Sequence, residues 1–340
     1  MPGRKYGLDL GTNNIKIYNG QRKTFINEKN MIAIKKKKEV VAMGDSAYEL
    51  YEKVSENILV KSPIKQGVIA DIDDMGKVFE GMLKKINCSN SMLRSNEFYL
   101  AVPSAITEVE KKAYFDLVNH SNFKTGKAHI VEKPIAAVVG EGLDVTKANG
   151  TMIVDVGADT TEISIIVLGG IVLSRLLKVG GNTINKSIYN DVKYRYNVLI
   201  GMKTAEHLKI ELGSAIPSMA SEVEVYGRDL ITGLPVYTKI NAELVYISIT
   251  ETLKPIIDSI KELIERTPPE LNNDILSNGI YLTGGSSNIS NLDRLIANET
   301  RMKVNLSSNP TESVIKGLET IINNYKLKHL AVSMRDSAFD

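Results

Sequence analysis

The sequence is poor in the residue types on which several chemistries depend. Cys88 is the one cysteine among 340 residues. That excludes an internal disulfide and a multi-cysteine zinc site, and it suits a reducing cytoplasm. The four histidines, His120, His129, His207 and His329, are scattered without ligand spacing, so no histidine metal centre or histidine acid–base role is expected. Excess charge is missing too. Lys and Arg total 42 against 40 Asp and Glu, a net +2 that gives no reason to expect nucleic acid as a partner. Long apolar runs are also absent. The most apolar stretch, Ile163 to Leu173, is interrupted by Ser164, Gly169 and Gly170 and falls short of the roughly 20 residues a membrane span needs. No apolar leader or amphipathic segment precedes Tyr6, so neither a signal peptide nor an N-terminal membrane helix is expected.

What is present reads as an ordinary globular chain, with 43% hydrophobic and 24% charged residues. At roughly 100–200 residues per domain the length suggests two domains. Tyr6 to Leu10 and Ile15 to Tyr18 read as strands around a turn at Gly11 to Asn14. Two further strands, Met31 to Ile34 and Val40 to Met43, flank Lys35 to Lys38, which reads as a solvated turn with attraction to anionic lipid as the second choice. The spacing of Met75, Val78, Phe79, Met82 and Ile86 predicts a helix over Ala70 to Ile86. Phe98 to Val102 is a buried strand, Glu108 to Asn119 a helix, Ile130-Val131 a short strand, and Pro134 opens a helix to Gly140. The pattern then restarts with strands at Thr151 to Val156, Glu162 to Leu168 and Ile171 to Leu177. Helices follow over Thr183 to Tyr196, Thr204 to Glu211, Ala242 to Arg266 and Asn291 to Thr300. Ile280 to Leu282 is a buried strand, Asn309-Pro310 reads as the start of a helix reaching about Lys326, and Arg335 to Asp340 read as a loose end.

The organisation carries the chemistry. A strand–turn–strand holding an aspartate just before a glycine turn occurs at Asp9 and again at Asp155. Glycine lets a ligand approach the backbone, and successive N–H groups in such a turn form an anion nest. Thr12, Asn13, Thr160 and Thr161 add short donors. Two facing turns of this kind would clamp a polyphosphate, and Asp9 with Asp155 would hold a hydrated Mg²⁺. One such hairpin alone is as well read as an ordinary turn. The third piece, Ile280 to Ser287, is a strand running into Gly284-Gly285 and a polar helix start at Ser286, a surface on which an adenine or α-phosphate can lie.

The three segments together resemble the phosphate and adenosine motifs of the actin-like ATPase superfamily. The first phosphate motif is similar to Asp9-Leu10-Gly11-Thr12-Asn13-Asn14, the second to Asp155-Val156-Gly157-Ala158-Asp159-Thr160-Thr161-Glu162, and the adenosine motif to Leu282-Thr283-Gly284-Gly285. Pro63 to Asp71, Thr204 to Ala215, Gly227 to Leu230 and Asn291 to Leu295 resemble the MreB family within it, and the likeness runs from about Tyr6 to Lys326. The resemblance implies an α/β, two-lobed actin-like ATPase fold of four subdomains, with ribonuclease-H-like mixed sheets and a central nucleotide cleft. Residues 1–32, 67–145 and 310–330 would form subdomain IA, 33–66 IB, 146–180 and 242–309 IIA, 181–241 IIB, and 331–340 a tail. It implies ATP or ADP with Mg²⁺ as cofactors. It further implies self-assembly into filaments, pairing with MreB paralogues, and a cytoplasmic position at the inner face of the membrane. By position, Glu206 and Lys209 match family residues near the ribose, and Gly180-Gly181 match a loop lining the cleft. Met92 and Leu93 fall where the family carries an apolar membrane loop; a buried turn is the alternative there.

Three departures stand out. The family has Glu-Pro where this chain has Lys133-Pro134, and that glutamate positions the attacking water. An ammonium has three donors and no acceptor, so it cannot take a proton from water. Glu132 points the other way on an extended segment and does not substitute. Asp159 and Ala158 replace family glycines, and Asn182 replaces a family aspartate after the glycine pair. Lys133 and Asp159 are expected to pair across the γ-phosphate position, taking the two sites from −1 to 0 in formal charge relative to Glu plus Gly. The alternative has Lys133 facing solvent and Thr160 alone orienting the water. Loss of a general base removes about 10²–10⁴-fold in rate, so slow hydrolysis is expected. Competing readings are a sugar-type kinase on the same fold, a heat-shock type chaperone and an FtsA-like protein. The resemblance favours a specialised filament paralogue, of the kind wall-less helical bacteria carry for cell shape and swimming.

Overall fold

The computed structural model describes residues 3–36, 39–88, 95–217, 219 and 221–333. The chain forms two units. One takes Met1–Ala148, Ile166–Ile171 and Glu312–Asp340, and the other Asn149–Ile165 and Val172–Thr311.

In the first unit the strand Arg4–Leu10 pairs antiparallel with Asn14–Asn19, which pairs with Thr24–Lys29. On its other side lie Asn96–Val102 and then Thr125–Glu132, both parallel, with Val332–Ser333 as a short antiparallel edge. The main sheet of the second unit runs Gly170–Leu177, Thr161–Val167, Thr151–Val156, Ile280–Thr283, Val304–Leu306. Ile280–Thr283 is parallel to both of its neighbours. The two sheets share one plan. Three sequential strands fold back on one another, and the first of them is flanked by parallel strands arriving later in the chain. The repeat read at Asp9 and Asp155 is therefore a repeat of topology as well as of motif. Each aspartate sits next to last in its strand, at the carboxyl end of a parallel pair, which is where open α/β sheets bind ligands.

Local sequence explains most elements. Helix Ile72–Lys85 is capped by Asp71, whose side chain accepts from Asp74 N–H. Its stripe of Met75, Val78, Phe79 and Met82 is fully buried against Phe98, Leu100 and Leu8. In the second unit Asn241 caps the 25-residue helix Ala242–Arg266, which buries Val245, Ile249, Leu253, Ile256 and Ile260 in one core with Val154 and Ile163. Smaller sheets complete each unit. Glu39–Met43, Ile32–Lys35 and Ile58–Lys61 form one, and Val198–Leu199, Glu222–Asp229 and Pro235–Asn241 the other.

Three expectations change. The strand at Ile130-Val131 is longer, Thr125–Glu132, because backbone pairing with Asn96–Val102 carries it through polar residues. The helix expected from Asn309-Pro310 begins at Ser313, ends at Asn323, and is followed by a 3₁₀ turn at Tyr325–Leu330. The Pro310 carbonyl is taken by Gly284 N–H at 2.9 Å and the Thr283 hydroxyl at 3.0 Å, so it does not start a helical ladder. The polar helix start after Gly284 is a short 3₁₀ turn, Gly285–Asn288. Ser91 to Arg94, with Met92 and Leu93, and Arg335 to Asp340 lie outside the described residues, as do Lys37 and Lys38.

Helix Lys133–Gly140 packs on helix Ser313–Asn323 at backbone distance. A Cβ on Gly317 would lie 1.7 Å from the Ala136 carbonyl oxygen, and one on Gly140 1.8 Å from that of Ser313. This contact seats the helix whose first residue is Lys133.

Candidate functional site

In the first unit the turn after Asp9 is closed by Gly11 N–H donating to Asn14 C=O at 3.0 Å. Its other carbonyls are held from behind. The Asn30 side chain donates to Gly11 O at 2.8 Å, Asn30 N–H to Asn13 O at 2.9 Å, and the Ser62 hydroxyl to Thr12 O at 2.9 Å. With the carbonyl edge committed, the N–H edge at Thr12 and Asn13 is the one left for an anion. Asn30 and Ser62 were not legible as parts of this site, since only the fold brings them behind the turn.

Asp9 is 4% exposed, and its carboxylate lies between two ammonium groups. Lys16 Nζ donates to Oδ2 at 3.0 Å, and Lys133 Nζ lies 3.2 Å from Oδ1 without hydrogen-bond alignment. Burial alone would push this carboxyl up, but Lys16 and Lys133 more than reverse that and hold it at about 2. The alternative in which Lys133 faces solvent is overturned. Asp9 is one of its partners, and its side chain is only 17% exposed. Lys16 is a residue the sequence reading passed over. The tight turn fixes the register that sets Asp9 opposite Lys16, and a lysine between Ile15 and Ile17 in a buried hairpin was the available signal. Glu132, one residue before Lys133, is pushed up by burial, with Lys111 opposing.

In the second unit three sequence-distant turns converge. Gly157 N–H donates to Thr160 C=O at 2.8 Å, repeating the bond of the Gly11 turn. The helix Gly181–Tyr196 starts on this turn, with Gly181 N–H on Gly157 O at 3.0 Å and Asn182 N–H on Ala158 O at 2.7 Å. The Ser286 hydroxyl also donates to Gly157 O, at 2.8 Å, and Lys209 Nζ reaches Gly181 O at 3.4 Å. Glu206 lies one turn before Lys209 on helix Met202–Leu212. Gly180 precedes the helix, and Gly285 follows Gly284, whose φ of +89° and approach to Asp155 admit no side chain; a Cβ there would lie 2.2 Å from Asp155 Oδ1. Thr161 is fully buried and its hydroxyl donates to Val179 O at 2.8 Å, so that group is committed to the fold.

Two departures from the family pattern answer each other here. Asn182 Nδ2 donates to Asp159 Oδ1 at 2.8 Å. An aspartate at 182 would set two carboxylates against each other, so the amide at 182 matches the carboxylate at 159.

The expected carboxylate pair for hydrated Mg²⁺ meets an obstacle at Asp9. Such an ion needs carboxylate oxygens open to its water shell. Both oxygens of Asp9 already face ammonium groups, so Asp9 does not fit that role. Asp155 is half-buried and lies beside Gly284.

The MreB/Mbl protein family matches residues 3–329 of this sequence. The chain belongs to the MreB/Mbl family. The cell shape-determining protein Mbl of Bacillus subtilis is 33% identical over 328 residues, covering 95% of this chain and 97% of that protein. Among solved structures, MreB5 of Spiroplasma citri bound to AMPPNP superposes with a TM-score of 0.90 at 31% identity, covering 97% of this chain and 98% of that one. A chain of the MamK double helical filament matches with a TM-score of 0.79 at 21% identity over 94% of this chain and 99% of its own, which speaks to the fold alone. The fold is the actin-like one and the chain is an MreB-like cytoskeletal actin homologue. Among the described residues no helix is long and apolar enough to cross a membrane.

Proposed function

We propose that this chain binds ATP and ADP through the Gly11, Gly157 and Gly284 turns and polymerises into filaments that support cell shape, with slow hydrolysis. The observation that carries this reading is the repeated sheet plan, each copy ending in an Asp-x-Gly turn with the same closing bond. A relative of 31% identity and nearly full coverage is bound to AMPPNP, which supports the nucleotide class. The filament part of the proposal rests on the family resemblance.

Slow hydrolysis rests on Lys133. Where the family glutamate would accept a proton from water, this chain offers an ammonium held against Asp9. Thr160 is then the remaining side chain to orient water, and Asp159, tethered to Asn182, stands beside it. Contact at the inner membrane face and assembly with paralogues are further parts of the proposal that rest on the family resemblance.

The test combines sedimentation with phosphate release. With ATP, the protein should pellet above a critical concentration while releasing phosphate slowly. Lys133→Glu should raise phosphate release, toward the roughly 10²-fold that a positioned general base supplies. A protein that stays in the supernatant at all concentrations overturns the filament reading, and an unchanged rate in Lys133→Glu overturns the account of slow hydrolysis.

A further inference from the structure

The first unit holds a buried charge cluster whose composition departs from a metal-binding one. Asp9, Lys16 and Lys133 carry one negative and two positive formal charges, with side chains 6%, 10% and 17% exposed. The cluster lies at the carboxyl end of Arg4–Leu10, directly before the Gly11 turn. Among the described residues Lys16 has Asp9 as its one partner, through one of its three donors. The register pairing Asp9 with Lys16 fixes that ammonium beside the turn rather than on a free surface arm.

We propose that Lys16 and Lys133, anchored by Asp9, take over the charge neutralisation of the bound polyphosphate that a divalent cation usually supplies, so that this chain binds nucleotide without Mg²⁺. The inference rests on the nucleotide reading above and concerns what accompanies the nucleotide. Lysine serves as a point-charge binder of phosphate. A divalent ion whose waters leaned on Asp9 would instead have to displace two ammonium groups, or sit close to both in a poorly screened interior. Asp9 thus acts as a positioning residue for two cations.

Isothermal titration calorimetry with ATP decides it, run once in excess magnesium and once in EDTA. The wild-type dissociation constants should agree within about threefold, because the resident ammonium groups already offset the phosphate charge. Lys16→Leu should weaken ATP binding in EDTA by about tenfold or more while magnesium restores part of the loss, and Lys16→Arg, which keeps the charge, should behave like wild type. Circular dichroism confirms that each variant is folded. If Lys16→Leu does not fold, the wild-type pair of titrations still decides. Binding in magnesium but not in EDTA overturns the inference and leaves the nucleotide reading standing. No binding in either condition overturns the nucleotide reading, and the inference with it.

Discussion

Gly76 and Gly317 both lie inside helices, and replacing each with alanine should move stability in opposite directions. Helix propensity alone favours the change at both sites, by about 0.5–1 kcal/mol. At Gly76, in helix Ile72–Lys85, an added Cβ meets no atom within 4 Å, so Gly76→Ala should gain roughly that amount. At Gly317 the Cβ would lie 1.7 Å from the Ala136 carbonyl oxygen and 2.5 Å from its carbon, and these are backbone atoms that cannot rotate away. An ordinary contact requires the two helices to part by about 1.5 Å, which opens gaps along a face that buries Val314, Ile315, Leu318, Ile321 and Ile322. The cost should reach the upper end of the overpacking range, about 3 kcal/mol. The two variants should therefore differ by about 4 kcal/mol. Urea unfolding followed by circular dichroism measures this, and both sites lie in one unit, so one transition serves for both. A Gly317→Ala midpoint at or above wild type would refute the packing argument, as would equal losses from both variants.

Other expectations follow from the same structure. Asn182→Asp should cost about 1–2 kcal/mol through the lost hydrogen bond and carboxylate repulsion with Asp159. Asp159→Gly in the same chain should cancel that penalty, and additive losses in the double-mutant cycle would contradict the pairing. Glu97 is held down at about 2, chiefly by its hydrogen bond from His129 at 2.9 Å. A depressed carboxyl stabilises the fold above its unfolded value near 4.5, and that contribution fades as pH falls toward 2. Acid unfolding curves should therefore show a stability loss across this window that is smaller in Glu97→Gln, with Asp9 supplying part of what remains. Burial pushes the Cys88 thiol up to about 11, so iodoacetamide at neutral pH should label the native protein far more slowly than the urea-unfolded chain.

Short-range chemistry was legible along the chain. The aspartate–glycine turns at Asp9 and Asp155, the buried stripe of Met75 to Met82, and the helix Ala242–Arg266 follow from spacing, capping and turn residues within a few positions of each other. Those are local forces, and the order of residues suffices to state them. The strand Thr24–Lys29 was not legible because its residues do not alternate apolar with polar, whereas in the hairpin Glu222–Asp229 with Pro235–Asn241 the alternating Val223, Val225, Val236 and Ile240 were a signal passed over.

What the fold alone decided is which distant groups meet. Lys133 stands 124 positions from Asp9, and nothing in between says that its ammonium will close on that carboxylate. Asn182 and Asp159 each looked like a separate departure until the helix start docked on the turn and made them partners. Gly76 and Gly317 read alike as helical glycines, yet one faces open space and the other a carbonyl from a helix about 180 residues earlier. The sequence determined the turns and the faces, because dihedral preference and amphipathic spacing act between neighbours. Tertiary packing determined the charge partners, because Coulomb energy and steric contact depend on distance in space, which only the folded chain sets.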